Sequence, residues 1–250
     1  MELSLFGIQP SIATTIGLVV LVNVTFFFVA GGIFHRCLQR LARVNPLRWK
    51  HQPKRTQTRE MIREKLPLVI CNALLLNTMI GAGVAFGSRF GRAYWSVSTY
   101  GVPYLVASTA ALFLFYHCAL FYFHRAMHGP RLFRTFHHLH HRYKAPMFLD
   151  ALYEHPLEAF YGGIVVTAPL FLFPVNLYGF FFFFSVMGAH EIIDHSGIDV
   201  NLPFLSRSRN HDDHHRQSNC FYGQLLPLLD RAHRTNTVPG CPRAQKQRAA

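Results

Sequence analysis

The sequence predicts an all-α membrane helical bundle, three spans plus a helical hairpin, carrying a cytosolic histidine-rich helical cap. Three observations lead there. Residues 12–34, 66–87 and 101–123 are apolar blocks, each as long as the roughly 20 residues a helix needs to cross a bilayer core. A fourth block, residues 157–189, is too long for one span and is punctuated by Pro169, Pro174 and Asn176, which makes it two shorter helices joined by a turn. Outside these blocks, histidines recur at helical spacing.

Composition agrees. Half of the 250 residues are apolar, 24 are Phe, and only 15% are charged, a low share for a soluble globule. The net charge of +13 flanks the apolar blocks as it does in membrane proteins, so nucleic acid is not the expected partner. The five cysteines, Cys37, Cys71, Cys118, Cys220 and Cys241, make no CxxC pair and no disulfide framework.

Taken in order, the first block has no small-residue cleavage site after a short apolar core and reads as a span. The loop 35–65 follows it with ten Lys or Arg against Glu60 and Glu64. The loop 88–100 holds only Arg89 and Arg92, so the first loop is expected on the cytosolic side and the chain returns there at His124. Histidine clusters lie on both sides of the fourth block. They share a compartment only if that block is a hairpin, with positions 150 and 205 both cytosolic. The Phe run 180–184 is expected to face lipid. The sequon at Asn23 lies inside the first span, so no glycan is expected there.

Thirteen of the 16 histidines fall between His117 and His215. Three clusters have ligand spacing: His124 with His128, then His137, His140 and His141, then His211, His214 and His215; His195 stands alone. On a helix, residues i, i+3 and i+4 share a face, so each cluster is expected to point one way. Nine imidazoles exceed the four ligands of one zinc and suit two metals of four or five ligands each. Imidazole alone does not choose among Fe, Zn, Cu and Ni. His138 competes with His137, which is favoured because it repeats the spacing of the last cluster. His35, His51, His117 and His233 read as packed or capping residues. The pair His190 and His195 imitates a zinc-protease motif, but the second His stands at i+5, about 500° around a helix, where i+4 is required.

These stretches, together with Asp194-His195-Ser196-Gly197, Glu154-His155-Pro156-Leu157-Glu158, Tyr222-Gly223-Gln224 and Leu229-Asp230-Arg231, resemble the fatty acid hydroxylase/sterol desaturase superfamily over roughly residues 100–235. The resemblance implies spans and a basic loop over 1–99, a catalytic domain over 100–235 and a basic, disordered tail over 236–250. It implies two iron ions held by the nine histidines, O2 as co-substrate, and hydroxylation, desaturation or oxidative demethylation of a sterol or fatty-acyl lipid. It further implies multi-pass membrane residence, in the endoplasmic reticulum if the source is eukaryotic. His155, His190, Asp194, Asp213, Glu154 and Glu158 are the candidates for orienting the ligands or tuning their charge, and His155 could be a tenth ligand. The closing stretch Arg231–Thr235 departs from the family's usual ending.

Electrons must come from outside, because no G-x-G-x-x-G follows a predicted strand. A cytochrome b5-type or NAD(P)H-fed donor is expected on the basic face formed by 35–65 with Arg131, Arg134, Arg142, Lys144, Arg207, Arg209 and Arg216. Two readings of other classes compete. A metal-ion transporter would place its histidines near mid-bilayer; a zinc-dependent membrane hydrolase would need about three ligands and a placed Glu.

Overall fold

The computed structural model describes residues 10–237; the expected tail beyond 237 lies outside them. Four helices are long and apolar enough to cross a membrane: Ile12–Val44 (α1), Arg59–Arg89 (α2), Gly101–Met127 (α3) and Leu177–Asp194 (α5). The shorter apolar helix Pro156–Leu172 (α4) and α5 are the two arms of the predicted hairpin, α4 packing on α2 and α5 on α3.

Helix α1 begins at Ser11, whose hydroxyl accepts from the Thr14 amide at 3.0 Å. It does not stop where its apolar block ends but continues to Val44, so part of the expected loop is helical. The reason is amphipathicity: Arg36, Arg40 and Arg43 recur at helical spacing and point outward while His35 and Ala42 are buried. A π turn over Phe26–Gly31 interrupts the helix at its middle. Helix α2 is capped by Thr58, which accepts from the Met61 amide at 3.3 Å. Its contact with α1 is close enough that a Cβ on Gly81 would sit 2.9 Å from Ile16 Cα, which makes glycine a requirement there.

The hairpin turns at residues 173–176. Strand β1 (Ala93–Tyr94), in the loop after α2, pairs in parallel with β2 (Val175–Asn176) at the hairpin tip. The Arg92 amide donates to the Leu170 carbonyl at 2.8 Å and the Val175 amide to Arg92 at 3.1 Å. Three links therefore join the tip to the loop between α2 and α3, at the end of the bundle opposite the histidines. Both arms of the hairpin start and finish at the histidine end.

The Phe run is not simply lipid-facing. Phe180 and Phe183, three residues apart, are buried and join Ile80, Val84, Leu112 and Leu170 in the core. Phe183 packs edge-on against Phe113, with centroids 5.1 Å apart, while Phe182 is exposed. The helical period divides a homopolymeric run between core and surroundings.

The cap is built from residues 128–155 and 195–235, including helices Ser208–Gln217 (α6) and Leu228–Ala232 (α7). Lys65 on α2 and Asp150 in the cap form a fully buried ion pair, with Gln57 bonded to both. The Lys65 ammonium lies 4.0 Å from the centroid of the Tyr143 ring.

Candidate metal centre

His124 lies on the last turn of α3 and His128 is its C-cap. His195 caps α5, and α6 carries His211, His214 and His215. The second cluster does not sit on a regular helix. Pro130 starts a turn that passes into a π turn over Phe133–His137 and a 3-10 turn over His140–Arg142. His138 is exposed and takes no part, while His137 is buried inside.

The nine histidines form two groups. His124, His128, His137, His141 and His214 bring one ring nitrogen each within 4.8 Å of one another, and His140, His195, His211 and His215 do the same. Each H-x-x-H-H cluster is thus divided, contrary to a single shared face. From the first, positions i and i+4 (His137, His141) join one group and i+3 (His140) joins the other. From the second, His211 and His215 join one group and His214 crosses to the other. On α6 the 100° step between adjacent helical residues is the cause: His211 and His215 are about 40° apart, but His214 lies about 60° to the opposite side; in the 137–141 segment the π and 3-10 turns part His140 from His137 and His141. The groups abut, with the rings of His141 and His215 centred 4.7 Å apart.

Backbone and carboxylate acceptors orient several rings. The Nδ1–H of His124 donates to the Tyr222 carbonyl at 2.9 Å, that of His195 to the Glu191 carbonyl at 2.9 Å, and that of His214 to the Cys220 carbonyl at 2.7 Å. His137 Nδ1–H donates to Glu158 Oε2 at 2.6 Å. A neutral imidazole with its proton on Nδ1 presents a lone pair at Nε2. The Nε2 atoms then crowd together: His137 to His128 at 3.0 Å, His137 to His141 at 3.2 Å, His195 to His211 at 3.0 Å and His211 to His215 at 3.1 Å. His124, His137, His195 and His214 so aim Nε2 lone pairs into the groups, and His214 Nε2 is buried with no partner among the described residues, which leaves a lone pair for a cation. The donor set fits two metal ions.

Burial keeps these rings neutral. It pushes His128 down to about 2, His137 to about 3 and His195 to about 4. Burial first, and repulsion between neighbouring rings second, hold His140, His141, His211, His214 and His215 well below the ordinary histidine range. Neutral imidazole is the form that ligates a metal.

The remaining candidates separate. Glu158 touches the centre through His137. Glu154 lines the cavity below it. Asp194 Oδ2 lies 3.2 Å from His190 Nδ1, so these two face each other and neither belongs to a histidine group. His155 accepts on Nδ1 from the Leu157 amide at 3.2 Å; it is the N-cap of α4 and not a tenth member of the groups. Asp213 turns outward to Arg216 at 2.6 Å, and the buried acid of that pair is Asp212, which accepts from Gln52 at 3.1 Å.

Two residues that sequence reasoning left without a role take one here. Asp230 accepts from the amides of Tyr222 at 2.9 Å and Gly223 at 2.8 Å and from the Thr235 hydroxyl at 2.6 Å. That clamp holds the loop whose Tyr222 carbonyl orients His124. A Cβ at Gly223 would lie 2.8 Å from Asp230 Oδ2, so the pairing requires glycine. Thr235 completes the clamp in the very stretch that departs from the usual ending. Glu191, seen in the sequence only as part of a false motif, lines the cavity and lies 3.5 Å from His195 Nδ1.

Beneath the histidines, a cavity of about 320 Å³ runs into the bundle. His124, His137, His140, His195 and His211 form one end. The walls are apolar: Phe26 and Phe27 from α1, Leu76 from α2, Leu120 and Phe123 from α3, Val166 from α4, and Phe183, Phe184 and Met187 from α5. Phe26 and Val22, also on the lining, are exposed on the outer side of α1.

The fatty acid hydroxylase family model matches residues 109–235. Among similar proteins, fatty acid hydroxylase ahd1 of Mycosarcoma maydis is 29% identical over 198 residues, covering 76% of this chain and 49% of the relative. Fatty acid hydroxylase domain-containing protein 2 of Homo sapiens is 34% identical over 131 residues, 51% of this chain and 38% of the relative. Methylsterol monooxygenase 1 of Danio rerio is 25% identical over 235 residues, 90% of this chain and 78% of the relative. The chain thus spans half or less of the first two relatives. No solved structure matches it.

Proposed function

Because this chain belongs to the fatty acid hydroxylase family, we propose that its two histidine groups hold two iron ions and that it uses O2 to oxidise a lipid lying in the bundle cavity. The observation that carries this reading is the abutment of the two groups, with the rings of His141 and His215 centred 4.7 Å apart, at one end of an apolar cavity. The iron pair would supply activation of O2 toward an unactivated C–H bond. The protein's part is to keep the imidazoles neutral, fix the tautomers of His124, His214, His195 and His137 through Tyr222, Cys220, Glu191 and Glu158, and hold a lipid C–H against the histidines in an apolar slot. With two electrons and two protons, O2 converts C–H to C–OH and one water; desaturation instead removes two hydrogens and yields two waters. The names of the relatives support a sterol or fatty-acyl substrate and an oxidoreductase. Residues 100–235 would form the catalytic domain on the membrane spans of 1–99. Metal analysis of purified protein, with sterol and fatty-acid profiling of cells with and without the gene, tests the proposal. We expect iron in excess of zinc, and loss of one oxidised lipid with build-up of its precursor. Unchanged profiles from a strain whose protein carries iron would overturn it.

The histidine end would face the cytosol, in the endoplasmic reticulum if the source is eukaryotic. Position 150 cannot report this, because Asp150 is buried against Lys65. Exposed Lys144 and Phe204 on the cap, and Thr99 at the opposite end, replace it. In a background without native cysteines, Lys144→Cys and Phe204→Cys are expected to label from the cytosolic side and Thr99→Cys from the other. Labelling of Lys144→Cys and Phe204→Cys from opposite sides would refute the hairpin.

A cytochrome b5-type or other NAD(P)H-fed donor would dock on the cap. The candidate arginines are less free than the sequence implies. Arg142 pairs with Glu64 at 2.5 Å, Arg207 and Arg209 with Asp199 at 3.2 and 2.9 Å, and Arg216 with Asp213. Arg131, Arg134 and Lys144 have no ion-pair partner among the described residues and carry the docking expectation. Turnover with such a donor should fall as salt rises, and Arg134→Glu should slow reduction with metal content intact. Indifference to both would place the donor elsewhere.

A further inference from the structure

The cavity is apolar, yet five buried polar atoms on its lining have no hydrogen-bond partner among the described residues: His140 Nδ1 at the histidine end, and Asn23 Nδ2, Asn77 Oδ1, Glu158 Oε1 and Gln224 Oε1. Glu158 adjoins the histidines through His137. The two asparagines do not. They come from the apolar stretches of α1 and α2, where hydrocarbon offers no partner and an unsatisfied amide is costly. Asparagines at such depth ordinarily hydrogen-bond across to a neighbouring helix, and Asn23 Nδ2 and Asn77 Oδ1 do not.

Helix register sets their depth. A Cβ on Gly81 would meet Ile16, and one on Gly163 would meet Met79. The Asn72 amide donates to the carbonyls of Leu152 and Glu154. Asn77 therefore lies between the levels of Glu154 and Gly163. Counting back along antiparallel α1 and α2 from the Gly81–Ile16 contact puts Asn23 within a turn of it. The pair is one to two helical turns from the histidine end, roughly 5–10 Å at 1.5 Å per residue.

Their chemistry is complementary. Asn77 Nδ2 already donates to the Ala73 carbonyl at 2.8 Å, which fixes the amide and leaves Oδ1 as an acceptor. Asn23 presents Nδ2 as a donor. A carboxylate has no proton for Asn77, and an ammonium has no lone pair for Asn23. A hydroxyl satisfies both with one oxygen. We infer that Asn23 and Asn77 are the specificity site for a hydroxyl group on the lipid, so that the substrate is an alcohol-bearing lipid oxidised one to two helical turns away from that hydroxyl. The inference rests on the reading of the cavity as the lipid site. Both residues lie outside the stretch matched by the family model, so the membrane spans and not the histidine domain would choose the lipid.

The test is equilibrium binding to full-length, iron-loaded protein in detergent, with two matched pairs of probes: cholesterol against cholest-5-ene, and octadecan-1-ol against octadecane. Binding does not depend on turnover. The alcohol of at least one pair should bind tenfold or more tighter than its hydrocarbon partner, because the hydrocarbon leaves both amides unpaired. Asn77→Leu and Asn23→Leu should each reduce that preference toward one while iron content stays at the wild-type level. Asn23 is only half-buried, so its variant keeps the test open if Asn77→Leu fails to fold. Equal binding of alcohol and hydrocarbon, or a preference that survives in the variants, would overturn the inference and leave the lipid cavity standing. Binding of none of the four would sink the lipid reading and the inference together.

Discussion

His140→Ala and His214→Ala should each abolish turnover, with a fall of at least about a hundredfold, since even partners that only orient a metal ligand are worth about 10–100-fold. The division of the clusters makes the expectation sharper than loss of activity. His140 is the one member of its cluster that joins His195, His211 and His215, and His214 is the one that joins His124, His128, His137 and His141. Each substitution removes a ligand from a different group, so each should lower iron toward one ion per chain and spare the other site. His138→Ala and His155→Ala are the controls. The first side chain is exposed and the second caps a helix, so neither should change metal content. Mass-spectrometric metal analysis beside turnover checks all four. Near-normal activity in His140→Ala or His214→Ala would count decisively against a histidine-held metal pair.

Why the clusters were visible in the sequence, and their division was not, comes down to backbone geometry. Spacing is covalent, so i, i+3 and i+4 can be read directly, as can the parity argument that requires a hairpin. Which member crosses to the second group depends on where α6 and the 137–141 segment face each other. It depends also on the π and 3-10 turns that replace a regular helix between Phe133 and Arg142. Nothing in Phe133–His137 announces a π turn. The same limit applies to Asp212 and Asp213, adjacent residues about 100° apart on one helix, of which the sequence cannot say which is buried. Asp230 was legible as part of a motif, but its task is set by tertiary contact: it clamps a loop seven residues upstream whose carbonyl orients a histidine 98 residues away from Tyr222. Lys65 was hidden among ten basic residues of a loop whose charge is otherwise explained by membrane orientation.

Lys65→Met should be among the most destabilising single changes in the chain, by about 3–5 kcal/mol, the range for removing one partner of a buried pair. Lys65 and Asp150 are both fully buried, and the ammonium is the counter-charge to a carboxylate with no path to water. Gln57 donates to Asp150 Oδ2 at 2.6 Å, and the Met147 amide donates to it at 2.7 Å. These bonds cannot neutralise the carboxylate once the lysine is gone. The pair joins the first turns of α2 to the turn Phe148–Leu152, which follows the His137–His141 segment along the chain. Its loss should therefore loosen the cap before the bundle, and metal should leave at a lower denaturant concentration than that which unfolds the helices. The double variant Lys65→Met/Asp150→Leu removes both charges and leaves an apolar contact beside Tyr143, Phe148 and Ile192. It should recover most of the lost stability, since replacing a buried pair by apolar groups is often neutral or better. Unfolding of the wild type, both single variants and the double variant in mixed detergent gives the coupling energy as a double-mutant cycle. A double variant no more stable than Lys65→Met alone would mean that the lysine acts through packing on Tyr143, and that the charge pair is incidental to the cap.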